Sequence, residues 1–139
     1  MNELFRLHQK KWESEGLPGA FHSSTYRSFH LAVANSFAEK GWLGLFLLKL
    51  SGNTVAALYG FRYKSKFYSY LSGYDPKYAK YSVANLLRAS IMRQCIDEGL
   101  VEFDFLRGDE TYKAQWNATI RWNKRAIITK TNRIDRAQY

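Results

Sequence analysis

Residues 1–40 mix apolar and charged positions at a spacing close to the period of an α-helix. The spacing predicts a helix at 2–15, whose apolar side chains are Leu4, Phe5, Leu7 and Trp12. The stretch EGLPG at 15–19 ends it, because glycine and proline interrupt helices. A second helix is predicted at 24–40, with N-caps available at Ser23, Ser24 and Thr25 and apolar residues at Phe29, Val33 and Phe37.

After residue 42 the pattern becomes that of β-strands. Apolar runs at 43–50, 54–63 and 66–74 are separated by short turns at 51–53 and 64–65, which predicts an antiparallel meander. Alternation along the second run predicts one shared face for every other residue. These residues are Val55, Ala57, Tyr59, Phe61 and Tyr63.

A helix with an apolar stripe follows the meander. It is predicted at 82–98, with Ser82 as its cap, Gly99 as its stop, and a stripe of Val83, Leu87, Ile91 and Cys95. The strand predicted next, at 101–105, is reached by a helical crossover, so it should lie parallel to a meander strand. A short helix at 110–116 and a last strand at 120–129 complete the order ααβββαβαβ, which is typical of an α+β fold.

Length and composition narrow the class of protein. The 139 residues suit one domain, expected at 1–130, with a basic tail at 131–139. No apolar run is long enough to predict a membrane span, and no signal peptide is predicted. A single cysteine, Cys95, which reads as core, excludes an internal disulfide, and three histidines without a cysteine pair predict no metal site. These features predict a cytoplasmic protein.

The net charge of +9 predicts an anionic partner or a solvated basic surface. Most of the excess lies in 64–80 and 121–136. Nucleic acid, acidic lipid and phosphorylated small molecules are the anionic classes to consider.

Two stretches carry a family resemblance: YGFRYKSKFYSYLSGYDPKYAKYSVANLL at 59–87 and GLVEFDFLRGDETYKAQW at 99–116. With the element order, they resemble the GNAT superfamily of N-acetyltransferases, and within it the CelD/BcsL-like branch linked to cellulose and exopolysaccharide biosynthesis. The resemblance implies a mixed sheet flanked by helices, an acetyl-CoA or other acyl-CoA donor, and an amine, hydroxyl or saccharide acceptor. The first strand usual in such domains is expected to be missing here, and an exposed sheet edge would then favour a homodimer or covering by the tail.

The resemblance places the phosphates of CoA at the start of the helix after the meander. The superfamily's glycine-rich loop is here AKYSVA at 79–84, and the branch's Ser-Pro-Gly is Ser82-Val83-Ala84. The amides of Val83, Ala84 and Asn85 would face a pyrophosphate, and Lys77 and Lys80 would add positive charge. The alternative is an ordinary serine-capped helix with two exposed lysines.

The second stretch suggests catalytic and acceptor-binding residues. Asp104 ends a strand that borders the gap between splayed strands in this superfamily, so it can act as a base towards the acceptor. Arg107 and Lys113 would bind substrate at the same pocket, and Tyr112 would protonate the leaving thiolate. The alternative is a structural pairing of Asp104 with Arg107 or Lys113, and Asp109 as cap of the short helix.

Tyrosines are dense in and after the third strand and can form an aromatic wall for a sugar or adenine, with Tyr70 and Tyr74 as the substrate-binding residues. These tyrosines are Tyr68, Tyr70, Tyr74, Tyr78 and Tyr81. They can equally be tyrosines of a half-buried sheet.

Two rival functions remain open: an aminoacyl-tRNA-dependent transferase of the Fem or leucyl/phenylalanyl type, which the basic charge suits, and a non-catalytic degenerate GNAT domain. His30, on the second helix, is expected to be structural.

Overall fold

The computed structural model describes residues 1–128. Its elements follow the predicted order up to the short helix. The helices are α1 (Asn2–Ser14), α2 (Ser24–Glu39), α3 (Val83–Asp97) and α4 (Thr111–Ala114), and the strands are β1 (Leu43–Leu50), β2 (Asn53–Tyr63), β3 (Lys66–Tyr74) and β4 (Glu102–Asp104). Short 3₁₀ turns lie at Ala20–His22 and Pro76–Tyr81. Within 1–128, no helix combines the length and apolarity needed to cross a bilayer.

The chain divides into two compact units, Met1–Gly108 and a second that begins at Asp109. The first contains a four-stranded sheet in the order β1-β2-β3-β4. The meander pairs antiparallel, and β4 pairs parallel with β3 through Lys66 with Glu102, Phe67 with Phe103, and Tyr68 with Asp104. The predicted parallel strand beside the third meander strand is therefore confirmed. Along residues 1–128, β1 has no partner strand on its outer side.

Two apolar layers cover the sheet, one on each face. The α3 layer contains the predicted stripe of that helix, together with Val55, Ala56, Leu58 and Phe67. The other layer packs α1 and α2 residues such as Leu4, Leu7 and Ala34 against Ala57 and Tyr59. Burial of these faces supplies the main force that holds the helices on the sheet.

Two β-bulges change which residues share a face. One lies at Val55, because Leu48 pairs with Ala56 while Lys49 pairs with Thr54. The extra residue turns Val55 into the α3 layer, so its predicted alignment with Ala57 and Tyr59 is wrong. The alternation of a regular strand cannot predict such an insertion.

Helix α1 lies directly on β3 at Gly73. A Cβ on this glycine would lie 2.2 Å from the His8 amide nitrogen and 2.5 Å from its Cα. Since no side chain fits there, glycine sets the distance between helix and strand.

One local prediction is confirmed in part and two are wrong. Ser82 is the N-cap residue of α3, as predicted, but it is left-handed (φ 53°, ψ 36°) and its side chain makes no capping hydrogen bond. Helix α4 is capped by Glu110 rather than Asp109, again without a side-chain bond. Residues 120–128 form no strand, while residue 129 and the predicted tail at 131–139 lie outside the described residues.

Candidate functional site

The open edge of β3 is the main feature of the candidate site. The parallel pairing with β4 stops at Tyr68 and Asp104, whereas β3 continues to Tyr74. From Ser69 onwards, no strand within 1–128 pairs with this side of β3. A strand edge without a partner presents backbone donors and acceptors to a ligand.

The direction of these backbone groups follows from one hydrogen bond. The Asp75 amide donates to the Val55 carbonyl at 2.9 Å, so Asp75 faces β2. Backbone groups alternate along an antiparallel strand, so those of Gly73 also face β2 while those of Ser72 and Tyr74 point to the open edge. The edge therefore offers an amide and a carbonyl at each of these two positions.

A second bulge lies in β3 at Tyr70, close to where β4 ends. Tyr59 pairs with Leu71 and Gly60 pairs with Ser69, which leaves Tyr70 as the extra residue. The bulge puts Tyr70 on the α2 face, where its hydroxyl lies 3.1 Å from that of Tyr26, while Tyr74 packs into the α3 layer. Tyr70 and Tyr74 therefore do not form one wall, because the two rings lie on opposite faces, and their binding of substrate stays a prediction.

The start of α3 supplies a row of amides. The first amide of α3 that bonds to a preceding carbonyl is Leu86, which donates to the Ser82 carbonyl at 3.0 Å. For the amides of Val83, Ala84 and Asn85, no acceptor lies within 1–128. The first three amides of a helix form an anion-binding terminus. Ser82 stands at the glycine position of the expected loop and has the positive φ that glycine adopts without strain.

The two lysines predicted to add charge at this terminus, Lys77 and Lys80, have different neighbours. Both are exposed. The Lys80 Nζ lies 4.9 Å from the centre of the Tyr81 ring. The Lys77 amide donates to Asp75 Oδ1 at 3.1 Å, and Lys77 lines a polar cavity of about 500 Å³ together with Asp75 and Arg6.

Asp75 holds the segment that leads into α3. Its Oδ2 accepts a bond from Lys10 Nζ at 2.6 Å. Burial raises the pKa of this carboxyl, but the bonds from Lys10 and the Lys77 amide outweigh burial, so the pKa lies below its usual value. Sequence reasoning missed this ion pair, since its partners are 65 positions apart.

Asp104 closes a turn at the end of β4. Its Oδ1 accepts a bond from the Leu106 amide at 2.7 Å, and Leu106 has a positive φ of 59°. This bond gives Asp104 a structural role. Asp104 pairs with Tyr68, which is where β3 and β4 part. Along β3, Tyr68 lies roughly 20 Å from Tyr74.

The other predicted residues divide between the two units. Arg107 is exposed in the first unit. Tyr112 and Lys113 lie on α4 in the second, where Lys113 Nζ pairs with Glu110 Oε2 at 2.7 Å. The convergence of Lys113 with Asp104 stays a prediction. Asn85 accepts a bond from Arg88 Nη1 at 2.9 Å, and Arg88 is a buried residue of α3 that sequence reasoning did not single out.

A family comparison decides the class of this fold and site. The model of the acetyltransferase (GNAT) domain family matches residues 1–114. The chain belongs to this GNAT acetyltransferase family. It is therefore an acetyltransferase domain, and the open edge and α3 terminus lie within the matched region.

Solved structures support the GNAT fold. An aminoglycoside acetyltransferase, meta-AAC0020, from an uncultured soil metagenomic sample in complex with sisomicin is 17% identical, with a TM-score of 0.60 over 93% of this chain and 88% of that one. AAC(6')-Iy in complex with the bisubstrate analogue CoA-S-monomethyl-acetylneamine is 16% identical, with a TM-score of 0.58 over 90% and 91%. A possible acetyltransferase from Clostridium difficile 630 is 13% identical, with a TM-score of 0.61 over 92% and 93%. At such identities the likeness concerns the fold alone. Comparison with curated protein sequences found no match.

Proposed function

We propose that this GNAT domain transfers an acetyl or other acyl group from acyl-CoA to an amine or hydroxyl of a saccharide, in polysaccharide or cell-envelope biosynthesis. The observation that carries the proposal is the open edge of β3 running towards the amide row of α3. CoA joins its thioester to its pyrophosphate through a long arm with two amides. An arm of this kind can pair with a strand edge and deliver its pyrophosphate to a helix terminus.

The residues present fit that donor. Ser72 and Tyr74 offer backbone groups for the amides of the arm. Val83, Ala84 and Asn85 offer amides for the pyrophosphate. The acyl group would then lie towards the level of Tyr68, where β3 and β4 separate. The bound complex of AAC(6')-Iy with a CoA bisubstrate analogue supports this donor, since that protein shares the fold.

Direct attack of the acceptor on the thioester needs positioning and a proton acceptor. Asp104 is the proposed proton acceptor because it lies where the pairing of β3 and β4 ends. Tyr112 is the proposed acid that protonates the thiolate. Lys77, Lys80, Arg107 and Lys113 are proposed to bind the anionic groups of donor or acceptor.

The polysaccharide role rests on the resemblance to the CelD/BcsL-like branch. The sisomicin complex of meta-AAC0020 raises an aminoglycoside as a different amine acceptor. The net charge of +9 disfavours a polycationic acceptor, because like charges repel across the approach. The same charge favours tRNA, which makes an aminoacyl-tRNA-dependent transferase the second candidate.

Calorimetry with acetyl-CoA and, separately, with tRNA distinguishes these functions. Micromolar binding of acetyl-CoA supports the acyltransferase, and thiol release on adding D-glucosamine, cellobiose or sisomicin then classifies the acceptor. Tight tRNA binding that weakens steeply with salt supports the second candidate. Binding of neither leaves a degenerate domain and refutes the proposal.

The role of Asp104 is tested by two substitutions. Asp104→Asn keeps an oxygen that can accept the Leu106 amide, so it should destabilise the protein less than Asp104→Ala, which should lose about 1 kcal/mol or more. If Asp104 is the base, the Asn variant binds acetyl-CoA normally and loses about 100-fold or more in kcat. Unchanged turnover of a stable Asn variant would limit Asp104 to closing the turn.

A further inference from the structure

Three of the buried polar atoms without hydrogen-bond partners in residues 1–128 belong to His30 and Tyr59. His30 on α2 is 2% exposed, and neither of its ring nitrogens bonds to any residue within 1–128. The hydroxyl of Tyr59 on β2, whose residue is completely buried, also lacks a partner there. An unpaired buried polar group costs about 1–3 kcal/mol, so three in one place need an explanation.

These atoms belong to one cluster, which contains Tyr26, His30, Tyr59 and Tyr70. The His30 ring centre lies 4.5 Å from that of Tyr26, 5.3 Å from Tyr70 and 5.6 Å from Tyr59. Phe21 and Phe29 are the other aromatic neighbours of His30. The hydroxyls of Tyr26 and Tyr70 bond to each other at the more exposed side of the cluster.

The cluster reaches the proposed transfer site through Tyr70. This residue forms the bulge of β3, just beyond the level at which β4 ends. Its backbone therefore lies at the open edge while its ring packs on His30. A molecule that enters beside Tyr70 is therefore close to the open edge of β3 and to His30.

We propose that this cluster is the acceptor subsite of the transferase and that His30, in place of Asp104, is its base. The inference rests on the proposed function. The Tyr26–Tyr70 hydroxyl pair parts to admit the acceptor, whose amine or hydroxyl donates to the bare nitrogen of the neutral imidazole. As the acceptor lone pair attacks the thioester carbon, the C–S bond breaks, its electron pair leaves with sulfur, and the acceptor proton passes to His30. The thiolate is then protonated, by Tyr112 as proposed above or by water, and His30 later releases its proton to solvent.

The cluster also indicates the chemical class of the acceptor. A neutral imidazole presents one N–H and one bare nitrogen, so its guest must both donate and accept. Sugar hydroxyls and amines do both, and tyrosine rings are suited to pack on a sugar. The cluster has no carboxylate, which a polycationic acceptor would need.

Burial supports a base in the neutral state. Desolvation lowers the pKa of His30 below its ordinary value and raises the pKa of Tyr59 to about 12. The titratable groups packed against His30 are tyrosines from three elements: Tyr26 on α2, Tyr59 on β2 and Tyr70 on β3. With cellobiose, which has no group that titrates in acid, we therefore expect protonation of His30 to produce an acidic limb in the pH profile of transfer.

The substitution His30→Phe separates catalysis from packing. Phenylalanine keeps an aromatic ring and removes both unpaired nitrogens, so the variant should be at least as stable as the natural protein. We expect unchanged acetyl-CoA binding, a loss of about 100-fold or more in kcat with D-glucosamine or cellobiose, and loss of the acidic limb of the cellobiose profile. His8→Gln, which changes the buried histidine of α1, is the control and should keep that limb.

The possible results test the subsite and the proposed function separately. If His30→Phe transfers at the natural rate, the subsite is refuted and the proposed function stands. If the natural protein fails to bind acetyl-CoA, the proposed function is refuted and the subsite with it. If acetyl-CoA binds but no sugar is acylated, NMR of ¹⁵N-labelled histidine decides: unchanged His30 nitrogen shifts on adding either sugar refute the subsite, and shifts confined to His30 support it.

Discussion

Acid should destabilise the protein through His8, which lies on α1 with 3% of its surface exposed. Its Nε2 accepts a bond from Trp12 Nε1 at 3.0 Å, so protonation at this nitrogen would break that bond. Burial, and then the nearby charge of Lys11, lower the pKa of His8 from 6.5 to about 4. Well above pH 6.5 the histidine is neutral in both the folded and unfolded chains, and the free energy of unfolding does not depend on its titration.

The magnitude follows from the difference in proton binding. As the pH falls below 6.5, the unfolded chain binds a proton that the folded protein refuses, so the free energy of unfolding decreases until the pH reaches about 4. The full loss is about 3 kcal/mol, of which about 2.5 kcal/mol is already present at pH 4.5. This is a large part of the stability of a small domain.

Urea unfolding of the natural protein and of His8→Gln at pH 7.5 and 4.5 measures this loss. Glutamine can still accept the Trp12 bond but does not titrate. His30, whose pKa is also lowered by burial, contributes to both proteins and cancels in the difference. We expect the natural protein to lose about 2.5 kcal/mol more than the variant on acidification. An equal loss in both proteins would show that His8 titrates alike folded and unfolded, and the argument from burial would fail.

Three further substitutions test the packing and the helix terminus. Gly73→Ala should destabilise by about 3 kcal/mol or more in urea unfolding, because its Cβ meets the His8 backbone, which cannot move without α1; a near-neutral result would contradict the close approach. Ser82→Gly should gain about 0.5 kcal/mol, since relief of left-handed strain exceeds the entropy cost of glycine, and should keep acetyl-CoA binding by calorimetry; a loss of stability would refute the strain. Lys10→Met should lower the free energy of unfolding by about 2 kcal/mol, because it leaves the Asp75 carboxylate without its cation. Thermal melts of Lys10→Met alone and of Lys10→Met combined with Asp75→Asn check this, since the double variant has no carboxylate left without a cation.

Up to α4, the element order could be predicted from the sequence because it depends on local periodicity. The stripe of α3 shows its helical period and the two short turns show the meander, and both agree with the structure. The parallel placement of β4 followed from the handedness of crossovers, which leaves few alternatives for a strand after a helix. The family resemblance was carried by residues in and beside these same elements.

The face on which each strand residue lies was decided by the tertiary structure. The bulges at Val55 and Tyr70 each insert one residue against a partner strand, and an insertion of this kind depends on pairing between strands rather than on either strand's own pattern. The bulge at Tyr70 separates it from Tyr74 and places it on His30. The candidate subsite therefore could not be found by spacing.

Contacts between residues distant in sequence could likewise not be predicted from the sequence. His30 read as a structural residue because a lone histidine on an apolar helix usually is one, and its unpaired nitrogens become visible only when α2 lies on β2 and β3. By contrast, the chemistry at the start of α3 was local and could be anticipated, since every helix leaves its first amides unpaired. Periodicity along one segment determined the elements and the helix terminus of this protein, whereas packing between segments decided which side chains meet, because contact energies depend on distances that the local pattern does not specify.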